Sequence, residues 1–310
     1  MLPRVAITAG DPAGIGPEIA DKAARDPRVR ETCVPVIVPA EPSTPVRMGE
    51  VSAEAGQAAY DTIVRAVTAT LAGEFDAIAT APVNKLAFSL AGLPWKGHTD
   101  LLAHLCGTPR VAMLFHSPAL VVVLATVHVP LRDVPRLLTV ERLLETIELT
   151  AEWLPLLTPR RPRIAVAGLN PHAGENGLLG SEDDEVIAPA VAEARKRGFE
   201  VSGPFPADTV FVRASRGEFD AVVACYHDQG LIPVKLLAFG EAVNVTIGLP
   251  IIRTSVDHGT AFDIAGKGVA NEGSMVQAVL LAARLARQVP RVPQVPQVPQ
   301  VPQVHRGRHG

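Results

Sequence analysis

The feature that most constrains this chain is a recurrence of short apolar runs between longer amphipathic stretches. Eight runs, Arg4–Thr8, Val34–Val38, Ala77–Ala81, Ala112–Phe115, Leu120–Ala125, Arg163–Ala167, Ala221–Cys225 and Ala242–Ile247, are rich in Val, Ile, Leu and Ala. Ile15–Arg25, Ala53–Ala72, Val140–Leu154, Asp183–Arg197 and Met275–Arg287 carry helical spacing instead. A run such as Ile164-Ala165-Val166-Ala167 is apolar at every position, which predicts a strand covered on both faces. The alternation predicts an α/β fold on a mostly parallel sheet. With 310 residues, the chain has room for one large domain or two medium ones that share a cleft.

Two stretches break the pattern. Prolines at 35, 39, 42 and 45 exclude a regular helix there, so the segment reads as a strand end and a loop. From Gln288 the chain repeats Val-Pro-Gln, which has no core to bury and predicts a disordered extension over 289–310.

Composition removes several function classes. A net charge of -3 and 4% aromatic residues give neither the basic face nor the stacking platforms of a nucleic-acid binder. Apolar runs end well short of a membrane span, and no charged and apolar leader opens the chain. Cys33, Cys106 and Cys225 are sparse, odd in number and without a CxxC pair, which predicts reduced thiols and a cytoplasmic protein.

The chemistry-bearing residues fall into five groups. His128, His172 and His227 each follow a predicted strand, and ligand sites collect at the carboxyl ends of strands in parallel sheets. Any one of them alone is an ordinary loop histidine. Three with the same placement point to a divalent metal with positions left open for substrate, although no short HxxxH spacing occurs. Asp257 to Asn271 (DHGTAFDIAGKGVAN) combines glycines that allow close approach with His258, Asp263 and Asn271, whose polar edges suit an adenine and a ribose. Gly10 to Glu18 (GDPAGIGPE) reads as a strand-to-helix turn or, equally, as an anion-binding helix start. It lacks the Lys-Ser/Thr of a P-loop. In Gly97-His98-Thr99-Asp100, Thr99 or Asp100 is the expected helix cap, or His98 and Thr99 meet a ligand. Lys235, Arg253 and Lys267, with Asn244 between, are natural partners of phosphate and carboxylate.

The stretch 257–271 resembles the adenine-binding loop of isocitrate and isopropylmalate dehydrogenases. The blocks Gly10–Glu18, Thr80–Lys85, Gly97–Asp100, Thr126–Asp133, Gly168–Glu175, Gly203–Thr209, Tyr226–Lys235 and Gly248–Asn271 together resemble the 4-hydroxythreonine-4-phosphate dehydrogenase family, in its order. The resemblance implies an isocitrate/isopropylmalate dehydrogenase-like α/β fold with two α/β/α lobes and a cleft. One lobe would take 1–120 and 250–288, the other 121–249. It implies His128, His172 and His227 as ligands of a divalent metal (Zn, Mg or Co), in sites shared across a homodimer. It implies His98, Thr99, Lys235, Asn244 and Arg253 as contacts to a small phosphorylated hydroxy acid. His258, Gly259, Asp263 and Asn271 would bind NAD(P), and Lys235 or Asp257 would take the alcohol proton. The expected reaction oxidises 4-phosphooxy-L-threonine, whose keto product loses CO2 on the way to pyridoxal 5'-phosphate. The same chemistry on 4-phospho-D-threonate, 4-phospho-D-erythronate or a dihydrodiol dicarboxylate is the nearest alternative. A three-histidine hydrolase or lyase is an alternative of another class, and it would have no use for the loop 257–271. The chain departs from the family between Val38 and Gly49, where it is shorter, and in its Val-Pro-Gln tail.

Overall fold

All eight apolar runs are strands, and two strands that the pattern did not predict join them. The computed structural model describes residues 1–158 and 160–289. The expected disordered tail, apart from Val289, lies outside the described residues. The strands are β1 (Arg4–Thr8), β2 (Val34–Val38), β3 (Ala77–Thr80), β4 (Ala112–His116), β5 (Val121–Leu124), β6 (Ile164–Ala167), β7 (Val201–Phe205), β8 (Ala221–Ala224), β9 (Val243–Ile247) and β10 (Arg253–Ser255). They form one sheet in the order β2-β1-β3-β10-β9-β4-β5-β8-β6-β7.

The two unpredicted strands escape for different reasons. β7 carries Gly203 and Pro204, and lies at the sheet's edge, where a missing N–H is tolerated. β10 is Arg-Thr-Ser, three polar residues that are all buried. Pro35 sits in β2 at the opposite edge, and no helix or strand occupies 39–52, as the prolines there require.

The sheet is mostly parallel but not throughout. β1, β2, β3 and β10 run one way. β5, β6, β7 and β8 run the other. Antiparallel pairings of β9 with β10 and β4, and of β4 with β5, join the two blocks.

Eleven α-helices among the described residues cover the sheet: α1 (Gly16–Arg25), α2 (Pro27–Thr32), α3 (Ala53–Leu71), α4 (Lys85–Leu90), α5 (His98–Leu105), α6 (Val134–Leu137), α7 (Val140–Trp153), α8 (Ala188–Lys196), α9 (Ala207–Ser215), α10 (His227–Ala238) and α11 (Gly273–Ala286). Side-chain caps start several of them. Ser52 accepts from Ala55 N at 3.1 Å, and Asn84 from Ala87 N at 3.0 Å. The expected helix from Asp183 differs in its first turn, 183–187, which is π-helical. Asp183 is fully buried there and turns its carboxylate to the amides of Leu169 and Asn170.

One face of the sheet packs a continuous core that includes Ile7, Ile19, Val123, Ile147, Val166, Val223 and Val279. On the other face the core is split in two. Ile63, Ile78, Phe88 and Leu101 belong to one part; Val122, Leu124, Val222 and Leu231 belong to the other. Between the parts stand β9 and β10, which carry Asn244, Thr246 and Arg253. Apolar packing on this face stops where the polar strands begin, which divides it between two α/β halves. Among the described residues no helix is long and apolar enough to cross a membrane.

Candidate active site

Arg253 is the most unusual side chain in the molecule. It is 2% exposed. Its Nε and Nη2 donate to Thr80 Oγ1 at 3.2 and 2.7 Å, and Nη1 donates to Thr246 Oγ1 at 2.9 Å. Both acceptors are neutral, and no carboxylate pairs with it among the described residues. Burial pushes its pKa down to about 9, so the guanidinium is still charged at neutral pH. A buried cation held only by hydroxyls keeps a large desolvation cost that an anionic ligand would offset.

Two unsatisfied polar atoms accompany it. His98 Nε2 and Asn244 Oδ1 are buried without a hydrogen-bond partner. Burial, and then the Arg253 charge, hold the His98 pKa well below 6.5, so this imidazole is neutral. Asn244 lies across the ladder from Ser255. Thr99 is half-buried in the first turn of α5. The cap of α5 is Gly97, not Thr99 or Asp100, because Asp100 turns back to accept from Lys96 N.

The two candidates for proton transfer are neighbours. Lys235 Nζ lies 3.9 Å from Asp257 Oδ2 and 3.5 Å from Asp257 O. Lys235 lies on α10, which begins at His227, and reaches Asp257 just beyond the end of β10. The Asp257 carboxylate is nearly buried and also accepts from Ser274 Oγ at 3.2 Å. Lys267 stands apart: it is exposed and its Nζ donates to Asp263 O at 2.6 Å.

Beyond Asp257, the loop exposes His258, Gly259, Asp263 and Asn271. His258 Nδ1 pairs with Gly259 O at 3.0 Å, and Asn271 Oδ1 accepts from Gly273 N at 2.7 Å. A Cβ on Gly259 would meet nothing within 4 Å, so the backbone there is open to a ligand. These exposed edges and the bare backbone fit a nucleotide. The turn Gly10–Glu18 serves as this loop's seat. A Cβ on Gly14 would stand 2.9 Å from Thr260 Cβ, and Ile15 N donates to Thr260 O at 3.0 Å.

The three histidines follow β5, β6 and β8, with β8 between the other two in the sheet. His128 and His227 are brought together, ring centroids 5.4 Å apart. Among the described residues no three His, Cys, Asp or Glu side chains gather closely enough to hold an ion. The chemistry of the set still fits a divalent metal. His227 Nδ1 meets Asp228 Oδ1 at 2.7 Å and His172 Nδ1 meets Glu175 Oε2 at 2.9 Å, pairings that fix the ring and raise the basicity of the other nitrogen. Burial, with Lys85 and His227 nearby, lowers the His128 pKa and keeps that ring in its neutral, ligating form. His128 (φ 43°) and His172 (φ 53°) both hold left-handed backbone, which non-glycine residues rarely adopt. Such strain collects at functional positions.

The sequence did not single out the residues that hold these loops. Asp183 accepts from Leu169 N at 2.9 Å and Asn170 N at 3.0 Å. Gln229 donates to Gly168 O and accepts from Cys225 N, both at 2.7 Å, which ties the loops of His172 and His227 together. Cys225 is free and buried, like Cys33, and burial raises both thiol pKa values.

Residues 14–282 match the family model described as pyridoxal phosphate biosynthetic protein PdxA. The chain is 45% identical to a 4-hydroxythreonine-4-phosphate dehydrogenase of Geobacter metallireducens, over 92% of this chain and 96% of that protein. It is 44% identical to a D-threonate 4-phosphate dehydrogenase of Cupriavidus necator, over 92% and 98%. The crystal structure of 4-hydroxythreonine-4-phosphate dehydrogenase from Klebsiella pneumoniae superposes with a TM-score of 0.83 at 43% identity, covering 92% of this chain and 99% of that one. An isocitrate dehydrogenase from Methylococcus capsulatus shares the fold, with a TM-score of 0.50 at 18% identity over 93% and 88% of the chains.

Proposed function

The chain belongs to the family of the pyridoxal phosphate biosynthetic protein PdxA, and we propose from that premise that it oxidises 4-phosphooxy-L-threonine with NAD(P) and a divalent metal. The observation that carries the reading is Arg253, a buried cation with no acid partner among the described residues, beside two unsatisfied polar atoms. An anionic substrate group is the ligand such a cluster requires.

The substrate would lie in the cleft between a lobe of residues 1–120 and 250–288 and a lobe of 121–249. Arg253 and Asn244 would hold its phosphate or carboxylate, with Lys235 at the rim. His98, kept neutral, offers a hydrogen bond without adding charge to the pocket, and Thr99 supplies a hydroxyl beside it. His128, His172 and His227 would hold the metal. As the family resemblance implies, the metal site would be shared between the two subunits of a homodimer in the cytoplasm. When bound, the metal (Zn, Mg or Co) polarises the substrate hydroxyl as a Lewis acid. His258, Gly259, Asp263 and Asn271 would hold and orient NAD(P), which would supply the hydride acceptor. The hydroxyl proton passes to Lys235 and Asp257, a pair within 3.9 Å that can share it. The product, 2-amino-3-oxo-4-phosphooxybutanoate, is a β-keto acid that loses CO2 to give 3-amino-2-oxopropyl phosphate.

The test is nucleotide reduction with a divalent metal and either NAD+ or NADP+, offered 4-phosphooxy-L-threonine, 4-phospho-D-threonate and 4-phospho-D-erythronate in turn. Reduction with the threonine substrate, abolished by chelation, is expected. Reduction confined to the threonate or erythronate would move the enzyme to sugar-acid breakdown with the same site. Turnover that survives chelation would sink the metal assignment.

A further inference from the structure

We infer that Lys22, held by Glu18, is a positioning residue for the loop that ends at Asn271. The inference rests on the reading of residues 257–271 as the nucleotide loop. Lys22 Nζ donates to Glu18 Oε1 at 2.8 Å, to Gly268 O at 3.1 Å and to Ala270 O at 2.8 Å. An ammonium has three N–H donors, and here the three have three acceptors. Glu18 Oε1 also accepts from Ala270 N at 2.8 Å. Ala270 is therefore gripped through both its N–H and its carbonyl by two side chains one helical turn apart on α1.

The grip decides where the loop's polar edges stand. Ala270 is 2% exposed, whereas Val269 before it and Asn271 after it face outward. Fixing Ala270 fixes the direction in which Asn271 leaves. The residue that caps the same helix also holds the loop's other end, since Ile15 N donates to Thr260 O at 3.0 Å. α1 thus acts as a splint across a loop with left-handed backbone at Ala261, Gly266 and Gly268. A surface i,i+4 ion pair stabilises a helix only weakly. Ordering a long lysine side chain for two loop carbonyls over two hundred positions away is a different task, one that lowers the conformational entropy a ligand would otherwise have to remove.

Lys22→Met and, separately, Glu18→Gln test this in the full chain. Two readouts are needed: NAD(P)+ affinity by calorimetry and by KM, and amide exchange of 266–271 without nucleotide. The expected result for Lys22→Met is faster exchange at Ala270 and about tenfold weaker nucleotide binding, the scale of a lost charged hydrogen bond. kcat at saturating nucleotide and the KM for the phosphorylated acid should stay within twofold of wild type. Glu18→Gln keeps the acceptor for Ala270 N and should show a smaller change in the same direction. Faster exchange with unchanged nucleotide affinity would overturn the inference, since the pair would then serve only the fold. Unchanged exchange would overturn it as well. Wild-type protein that binds neither nucleotide would defeat the reading of the loop itself, a failure visible before any substitution.

Discussion

The Arg253 pocket and the histidine loops reach function by opposite routes. Arg253 sits in mid-sheet on β10, 2% exposed, with its side-chain hydrogen bonds made to the neighbouring strands. His172 and His227 stand at strand ends with side chains 64% and 39% exposed, and His128 and His172 hold left-handed backbone. The first site costs the fold desolvation of a charge. The second costs it backbone strain, which tight supports from Asp183 and Gln229 hold in place. Both are sites where the local choice opposes stability, so in both a substitution should separate stability from function.

The largest effect is expected at His172. Its φ of 53° is a conformation that glycine adopts freely. His172→Gly should abolish metal-dependent turnover and yet stabilise the fold by about 1 kcal/mol, the lower end of the cost of left-handed backbone. Denaturant melts and the reduction assay check the two halves. A variant that is both inactive and less stable would show that the imidazole supports the loop through Glu175 rather than straining it, and the contrast between the sites would fail.

Arg253→Met comes next. With the buried cation gone, the KM for the phosphorylated acid should rise about a hundredfold, within the 2–5 kcal/mol range for losing one partner of a buried charge pair. Thermal stability should not fall, because the methionine needs no counter-charge and the hydroxyls are acceptors, Thr80 released from two donors and Thr246 from one. A marked drop in Tm with an unchanged KM would recast Arg253 as a structural clasp of β3 and β9.

These two regions also show what the sequence could reveal. Continuous apolar runs marked eight strands, among them β2, which stays partly exposed at the sheet edge. β10 could not be found that way, because its Arg-Thr-Ser is buried to make a polar pocket, and periodicity counts such residues as surface. The histidines were legible because each follows an apolar strand, a placement fixed by local pattern. That His128 and His227 approach while no third ligand among the described residues completes the group depends on strand order, which no local pattern encodes. Asp183 reads as one acid among Glu182, Asp184 and Glu185 at a helix start. Its burial follows from the loop of His172 folding over it, a contact made by tertiary packing.

The smallest effect concerns pH, and it separates the buried side from the exposed one. His116 ends β4 and has its pKa lowered to about 4 by burial and by Arg284. His98 is also held well below 6.5, by burial and Arg253. In the unfolded chain both titrate near 6.5. As pH falls below 6.5 the unfolded state binds protons that the native state does not, so stability declines with falling pH. The His116 share of that decline ends near pH 4, where the native state also takes the proton. Each such group contributes at most about 1.4 kcal/mol per pH unit inside its window. His116→Asn should remove one share, flattening the stability profile between pH 6.5 and about 4 while leaving stability near pH 8 within about 1 kcal/mol of wild type. Urea midpoints across that range measure it. A profile with the same slope as wild type would mean that water reaches the His116 imidazole in the native state, and that acid sensitivity resides at the open, histidine-bearing ends of the strands instead.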